Sequence, residues 1–229
     1  MIVTIHQPDF LPWLGFFDRW KKSDIFIILD DVQFLRRGWQ HRDKIKTSTG
    51  SKWLTVPVIK KGRYLQQIRK VEINNNENWR PAFLNNIQKA YCKTFNFKSH
   101  FDNIKKILSK KHNFLIDLNM DLLKYCANIF QIDTPFVFSS SFHINTTGTS
   151  RLVNLVKAVY GNSYLTGIGS KDYLDGKAFE KEGIELIWQH YNHPVYPQLY
   201  GDFTKMLSII DFLMMVSKPQ AFFPLKTPR

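Results

Sequence analysis

The first thirty residues constrain the fold more than any other part of the chain. An apolar run over residues 1–5 is followed by His6, Gln7 and Pro8, and a second apolar run over residues 25–29 ends at two aspartates. The segment between the two runs has the spacing of an amphipathic helix. A helix that connects two short apolar strands is typical of a βαβ unit, in which the strands are parallel.

The rest of the chain continues this alternation. Strands are predicted at 52–58, 134–138, 164–167 and 185–189, and helices at 150–160 and 207–216. The basic residues 35–47 are predicted to be irregular. Residues 75–135 have helical spacing and are predicted to form a helical subdomain within a single α/β domain of residues 1–229. The alternation predicts a mostly parallel, Rossmann-like sheet with a helical insertion, and it leaves a nucleotidyltransferase-like arrangement open.

The net charge of +13 is the one extreme value in the composition. It indicates an anionic partner, such as nucleic acid, an anionic membrane or a phosphorylated small molecule, unless the lysines only solvate the surface. The basic region 36–46 contains Trp39, Gln40 and His41, and no RNA-binding aromatic signature or zinc finger is present. We therefore favour a phosphorylated small molecule over nucleic acid.

Two further features bear on the compartment. The chain has no apolar run long enough to span a membrane, and its first residues lack the pattern of a signal peptide. Cys92 and Cys126 do not have the spacing of metal ligands or of a disulfide framework. We expect a cytoplasmic protein.

The turn after the first strand is the first candidate site. A histidine at a strand end can contact phosphate or transfer a proton near neutral pH, although a lone histidine more often caps a neighbouring carbonyl. Gln7, Trp13 and Gly15 crowd the turn of His6, which favours a functional role. Gly15 is expected to let a ligand approach the start of the helix, where free amides bind phosphate. His6 is a candidate catalytic residue and the other three are candidate substrate-binding residues.

The end of the second strand is the second candidate site, with Asp30 and Asp31 as candidate catalytic residues. Their side chains are expected to point to opposite sides of an extended segment, so that one faces a ligand while the other anchors the loop or pairs with Arg36, Arg37 or Arg42. A salt-bridged turn is the structural alternative. The neighbouring amide, aromatic and cationic side chains suit a sugar or a nucleotide. These candidate substrate-binding residues are Gln33, Trp39, Gln40, Arg42 and Lys44.

Later segments supply weaker candidates. Gly167 and Lys171 belong to a glycine turn that lacks the Walker spacing, and a tight strand-to-helix turn is the more common explanation. His193 and Tyr196 lie in a loop rich in proline and tyrosine, where no nearby carboxylate completes a metal set, so no metal site is predicted. Asp211, within an apolar helix, is expected to bond to a backbone amide or a basic residue.

These segments resemble the WbqC-like protein family over nearly the whole chain. His41 is a departure, because an amide is expected there. The resemblance implies a role in bacterial surface-polysaccharide (O-antigen) biosynthesis and marks His6, Gln7, Asp30, Asp31, Gln33, Trp39 and Arg42 as motif positions without assigned roles. The motifs that carry it are Ile5-His6-Gln7-Pro8, Leu11-Pro12-Trp13-Leu14-Gly15, Leu29-Asp30-Asp31-Val32-Gln33-Phe34, Trp53-Leu54-Thr55-Val56-Pro57-Val58, Tyr164-Leu165-Thr166-Gly167 and Leu207-Ser208-Ile209-Ile210-Asp211.

Four functions fit these observations. The first is transfer of an acyl or aminoacyl group to a nucleotide-linked amino sugar, with His6 or one of the two aspartates as the base and with an aminoacyl-tRNA as one candidate donor. The second is an ATP-dependent nucleotidyltransferase or ligase, which the absence of a His-x-Gly-His motif disfavours. The third is a non-catalytic protein that binds a component of a glycan pathway, and the fourth is a nucleic-acid-binding protein. The residues specify no cofactor and no oligomeric state.

Overall fold

A five-stranded parallel sheet is the centre of the computed structural model, which describes residues 1–223. The prediction of a Rossmann-like α/β fold is confirmed, and this sheet is parallel throughout. Its strands are short and rich in β-branched and aromatic residues, as expected for strands that are covered on both faces. They are β1 (Ile2–His6), β2 (Ile25–Ile28), β5 (Phe136–Phe138), β6 (Ser163–Gly167) and β7 (Glu185–Gln189).

Helices cover both faces of the sheet. Apolar residues of α1 (Leu14–Lys22) pack on one face together with the helical region, and those of α5 (Gly148–Ala158) and α6 (Gly176–Lys181) pack on the other. The helical region consists of α2 (Trp79–Tyr91), α3 (Phe97–Ser109) and α4 (Leu115–Ile129), and α7 (Ile209–Met215) joins the same core. The helices expected within residues 75–135 are therefore present, and they share one hydrophobic core with α1 and the sheet.

The order of the strands determines where a ligand can bind. The order is β5-β2-β1-β6-β7, so the chain builds one half of the sheet outward from β1 and then returns to build the other half from β6. Between β1 and β6 the two connecting segments leave the sheet in opposite directions, and a crevice opens at the carboxyl ends of these strands. Such a switch point is the usual ligand site of open α/β sheets.

A two-stranded antiparallel hairpin lies outside the main sheet. Its strands are β3 (Arg42–Thr47) and β4 (Gly50–Thr55), with Lys44 opposite Trp53. The prediction that residues 35–47 are irregular is therefore wrong for the second half of that segment. Charged residues conceal the strand in the sequence, yet Asp43 and Ile45 are buried while Arg42 and Lys44 face outward, which is the alternation of a strand.

Candidate functional site

A cavity of about 830 Å³ lies at the switch point, at the carboxyl ends of β1 and β6. This volume is within the usual range for small-molecule sites. Its walls come from the turn after β1, α1, the segment that leads into β3, the turn after β6 and the loop after β7. Polar residues form the floor, and aromatic residues surround the mouth.

Six of the residues predicted as site residues line this cavity. The turn after β1 contributes three of them, the segment before β3 contributes two, and β6 ends at the sixth. The sequence therefore identified parts of three walls that are far apart along the chain. The six residues are His6, Gln7, Trp13, Trp39, Gln40 and Gly167.

His6 is held as a neutral imidazole at the edge of the floor. Burial and, to a smaller extent, the positive charge of Arg19 lower its pKa to about 3, against the opposing effect of a hydrogen bond to the Gln7 carbonyl. The Nδ1 atom lies 3.0 Å from that carbonyl oxygen. Because a carbonyl only accepts, Nδ1 carries the hydrogen and Nε2 keeps its lone pair. Among residues 1–223 nothing hydrogen-bonds to Nε2, so it is free to accept a proton or hydrogen bond from a ligand.

Two buried carboxyl groups, which sequence reasoning missed, share the floor with His6. Asp9 is 9% exposed and Asp43 is 3% exposed. Burial raises the pKa of Asp9 to about 7, against the opposing charge of Arg19. Burial also raises the pKa of Asp43 to about 8, and the charge of Asp9 adds to this effect. Groups that titrate close to neutral pH are suited to proton transfer, so these carboxyls are the strongest acid–base candidates of the cavity.

A buried cation completes the floor. Arg19 of α1 donates from Nη1 to Oε1 of Gln189 at 2.9 Å, and Gln189 in turn donates to Oδ2 of Asp18 at 2.7 Å. Gly167 makes room for the guanidinium, because a Cβ at this position would lie 2.7 Å from Nη1. Arg19 is thus fixed in place where it can contact a phosphate, a carboxylate or a developing oxyanion. Its helical setting gave no sequence signal for this role.

Hydrogen bonds clamp the two loops that carry the floor residues. The buried Asn119 of α4 donates from Nδ2 to the carbonyls of Pro8 and Gln40, each at 2.7 Å. Gln40 also donates to Oε1 of Gln7, while its own buried Oε1 has no partner within the described part of the chain. A buried acceptor without a partner is uncommon in proteins, and Gln40 is held in place by the bonds of its amide nitrogen and its backbone.

The mouth of the cavity is aromatic. The Trp13 ring lies parallel to the His193 ring at 6.2 Å and edge-on to Tyr191 at 5.3 Å. His193 does not line the cavity; Nδ1 donates to the Pro194 carbonyl, and Nε2 accepts from a backbone amide. We expected Gly15 to leave room for a ligand, but the Trp13 ring occupies the space beside it. Gly15 therefore accommodates the ring of Trp13.

The structure places Asp30 and Asp31 outside this cavity, at the carboxyl ends of β2 and β5. Asp30 accepts hydrogen bonds from the Ser140 amide at 3.0 Å and the Ser140 hydroxyl at 2.7 Å. Asp31 pairs with Arg151, whose Nη2 lies 2.6 Å from Oδ2. The partner of Asp31 is therefore an arginine of α5, and the expected pairing with an arginine of residues 36–42 is wrong.

Five other predicted site residues also lie away from the cavity lining. Gln33 is exposed and bonds to the Tyr64 carbonyl, and Lys171 is exposed beyond β6. Arg42 and Lys44 lie on the outer face of the hairpin. Tyr196, the fifth, is buried in a separate polar cluster.

That cluster is centred on Asp211 of α7. Its carboxylate accepts from the hydroxyls of Tyr196 at 2.9 Å and Tyr91 at 2.8 Å and from the Gln198 amide at 2.9 Å. The expected partner, a backbone amide or a basic residue, is thus replaced by two tyrosines and a glutamine. Tyr196 has a structural contact here and connects the loop after β7 to α7.

Neither a metal site nor a membrane-spanning helix is found among residues 1–223. Within residues 1–223, no three His, Cys, Asp or Glu side chains come together in a way that would hold a metal ion. Over the same residues, no helix has both the length and the apolar character needed to cross a bilayer.

Comparisons with known proteins agree with the sequence motifs. Residues 7–221 match the model of the WbqC-like protein family. The uncharacterized protein Rv1507c of Mycobacterium tuberculosis is 34% identical over 216 residues, which cover 93% of this chain and 93% of the relative. No solved structure matches the chain.

Proposed function

The chain belongs to the WbqC-like protein family, and from this premise and the cavity we propose that it transfers an acyl or aminoacyl group to the amine of a nucleotide-linked amino sugar. We assign this reaction to bacterial surface-polysaccharide biosynthesis, the setting that the family resemblance implies. The observation that carries the proposal is the grouping of a neutral histidine, two carboxyls of raised pKa and a fixed arginine on the floor of one cavity.

The floor supplies what acylation of an amine requires. An amino sugar arrives largely as an ammonium ion, which becomes nucleophilic only after it loses a proton. The Asp9 carboxylate, with a pKa of about 7, is matched to accept that proton near neutral pH. The lone pair of His6 Nε2 can accept a hydrogen bond from the amine and so orient it. This assigns the role of base to Asp9 and an orienting role to His6, in place of Asp30 and Asp31.

The transfer step balances with these groups. The amine nitrogen attacks the acyl carbonyl carbon, a C–N bond forms, and the bond from that carbon to the leaving atom of the donor breaks. Asp9 has already taken the proton of the ammonium ion. The second proton that nitrogen loses passes to Asp43, as the protonated carboxyl of Asp43 gives its own proton to the leaving atom, so Asp43 ends the step protonated as it began. Arg19 lies in position to stabilise negative charge on the carbonyl oxygen.

The mouth suits the rest of such a substrate. The exposed Trp39 ring offers a stacking surface for a sugar or base, and Arg42 and Lys44 lie beyond it on the hairpin as cations for phosphate groups of the acceptor or of a nucleotide donor. A ligand that reaches from the floor to the hairpin would contact all three regions.

The test is a mass-shift assay. Purified protein is incubated with uridine-diphosphate-linked amino sugars and with acyl thioesters or aminoacyl-RNA as donors, and mass spectrometry follows the increase by one acyl group. We expect product with the unaltered chain and a loss of about 100-fold or more in His6→Ala and Asp9→Asn. His190→Ala, which removes an exposed histidine that does not line the cavity, is the matched control.

Calorimetric titration with the same nucleotide sugars separates catalysis from binding. Binding without product in every donor pairing would support a non-catalytic binding protein. If the sugars do not bind, or if Arg42→Ala leaves glycan modification in cells unchanged, the proposed function is wrong.

A further inference from the structure

Most of the excess positive charge is concentrated in residues 35–70. This segment contains eleven lysines and arginines against one carboxylate, Asp43, which gives a net charge of +10 out of the +13 of the chain. Asp43 is buried below the cavity, so it does not offset the charge at the surface. The segment includes the hairpin and the two loops beside it, and it borders the cavity mouth.

Arg63 of this segment pairs with Glu72, but the cations around the hairpin are crowded and lack acidic partners. Across residues 1–223, neither Arg36 nor Arg42 nor Lys44 forms a salt bridge. Burial lowers the pKa of Lys60, and the positive charges of Arg42 and Arg36 lower it further. Arg36 donates to the Lys60 carbonyl at 3.0 Å, which ties the two loops together. Like charges held together without counter-charges create a strong field for an anion.

Exposed rings alternate with these cations. Trp39 and Trp53, 48% and 36% exposed, lie 5.3 Å apart. The Arg42 guanidinium lies over the Trp53 ring at 4.2 Å, and that of Arg36 lies over the Tyr64 ring at 5.3 Å. Aromatic rings beside unpaired cations are the combination that binds single-stranded nucleic acid, in which bases stack on rings and phosphates contact cations. We call this surface the basic-aromatic face; it consists of Arg36, Trp39, Arg42, Lys44, Trp53 and Tyr64.

We propose that the basic-aromatic face binds single-stranded RNA and directs its end into the cavity. Leu35, Gly38 and Trp39 line the cavity as well as this side of its mouth, so the face and the cavity are continuous. The inference rests on the proposed function and deepens it, because it identifies the acyl donor as an ester on the terminal ribose of an RNA. In that transfer the ester bond to the ribose oxygen breaks, the amide bond to the sugar forms, and the amine proton reaches the ribose oxygen through the floor carboxyls.

The structure favours RNA over an anionic membrane on this face. Leu35 and Leu65 are exposed aliphatic residues that a membrane would also accept. However, cations outnumber them, and Arg42 and Arg36 lie against the faces of rings. Insertion into lipid would bury those guanidinium groups, whereas stacking with bases leaves them beside phosphates.

Fluorescence anisotropy with a labelled single-stranded RNA of about 12 nucleotides tests the proposal, with the duplex of the same sequence and anionic phospholipid vesicles as alternatives. We expect the single strand to bind most tightly at about 50 mM salt, with a steep salt dependence. Trp53→Ala should weaken binding about 5- to 100-fold without changing the salt slope, and Trp53→Phe should restore much of it. The double variant Arg36→Ala/Lys44→Ala should weaken binding and make the slope shallower.

The matched control is Lys105→Ala/Lys106→Ala, which removes two exposed cations from α3. The inference is wrong if this control loses as much affinity as the Arg36/Lys44 variant, if the duplex binds as well as the single strand, or if only vesicles bind. Because these measurements need no turnover, they also separate the two proposals. Acylation from a small thioester without RNA binding would refute the inference alone, and RNA binding without acylation would refute the proposed function alone.

Discussion

The Nδ1 atom of His6 lies 3.6 Å from Oδ2 of Asp9 on the cavity floor, and the pKa values of both groups are shifted from their ordinary values. Burial lowers the pKa of the histidine to about 3 and raises that of the aspartic acid to about 7. At neutral pH the pair therefore carries less charge than the same residues in water. Pairs of groups whose pKa values are shifted in this way inside a cavity are typical of functional sites.

The first prediction concerns the pH dependence of stability. Below about pH 4 the Asp9 carboxyl is protonated in both the folded and the unfolded chain, so its titration does not change the free energy of unfolding. As the pH rises towards the folded pKa of about 7, the unfolded chain releases the proton while the folded chain retains it, which destabilises the fold. Asp9→Asn should therefore gain stability over the unaltered chain between about pH 4 and 7, by on the order of a few kcal/mol.

Urea unfolding at about pH 4.5, 6 and 7.5 measures this difference. Asp102→Asn, which removes an exposed carboxylate from α3, is the control for the loss of one charge. If the stabilities of Asp9→Asn and of the unaltered chain run parallel over the whole range, the carboxyl does not titrate as described.

The second prediction concerns the fit between Gly167 and Arg19. In Gly167→Ala the new Cβ would force the guanidinium away from Gln189, so binding of a nucleotide-linked amino sugar should weaken by about tenfold, which corresponds to about 1.4 kcal/mol. Calorimetric titration measures the affinity. Gly169→Ala is a sharp control, because Gly169 lines the same cavity but a Cβ there would contact nothing within 4 Å. Equal affinities in the two variants would contradict the positioning role of Gly167.

The order of the apolar runs predicts the class of fold correctly. The sequence predicts only some of the residues that form the site. His6 and Gly167 were recognised because each ends a buried strand. Asp30 and Asp31 end a strand too, yet β2 lies on the far side of β1 from β6, so they lie outside the switch-point cavity. A sequence shows which residues end strands but not which strands are neighbours.

Asp9 and Asp43 show a second reason why the sequence predicts only part of the site. Asp9 lies three residues after His6, and Asp43 lies between two cations in a strand that looked irregular. Neither has a sequence signal that distinguishes a buried carboxyl from a surface one. Their burial results from packing between the turn after β1, the hairpin and α1, which are brought together by tertiary contacts alone.

The third prediction tests the structural role of Asp31. The pair with Arg151 is largely buried, so Asp31→Asn should lower the free energy of unfolding by on the order of 3 kcal/mol. The double variant Asp31→Asn/Arg151→Gln should lose less than the sum of the single variants, because no unpaired charge is left. Both variants should bind a nucleotide-linked amino sugar like the unaltered chain at temperatures where they are folded. A selective loss of binding or activity in folded Asp31→Asn would contradict this prediction and show that Asp31 acts in the functional site.

The last prediction concerns Asn119, which joins the two loops that carry the floor of the cavity. Asn119→Asp has nearly the same shape, but a carboxylate cannot donate to the carbonyls of Pro8 and Gln40 and would instead repel them. We expect a loss of unfolding free energy of about 2 kcal/mol or more near neutral pH, and a smaller loss in acid, where the protonated carboxyl can donate once. Asn128→Ala, at an exposed position of the same helix, should change little. Because the clamp also joins the turn after His6 to the segment before Asp43, substrate affinity should fall together with stability. If Asn119→Asp unfolds at the same urea concentration as the unaltered chain, the loops are held by other contacts and the clamp has no part in forming the cavity.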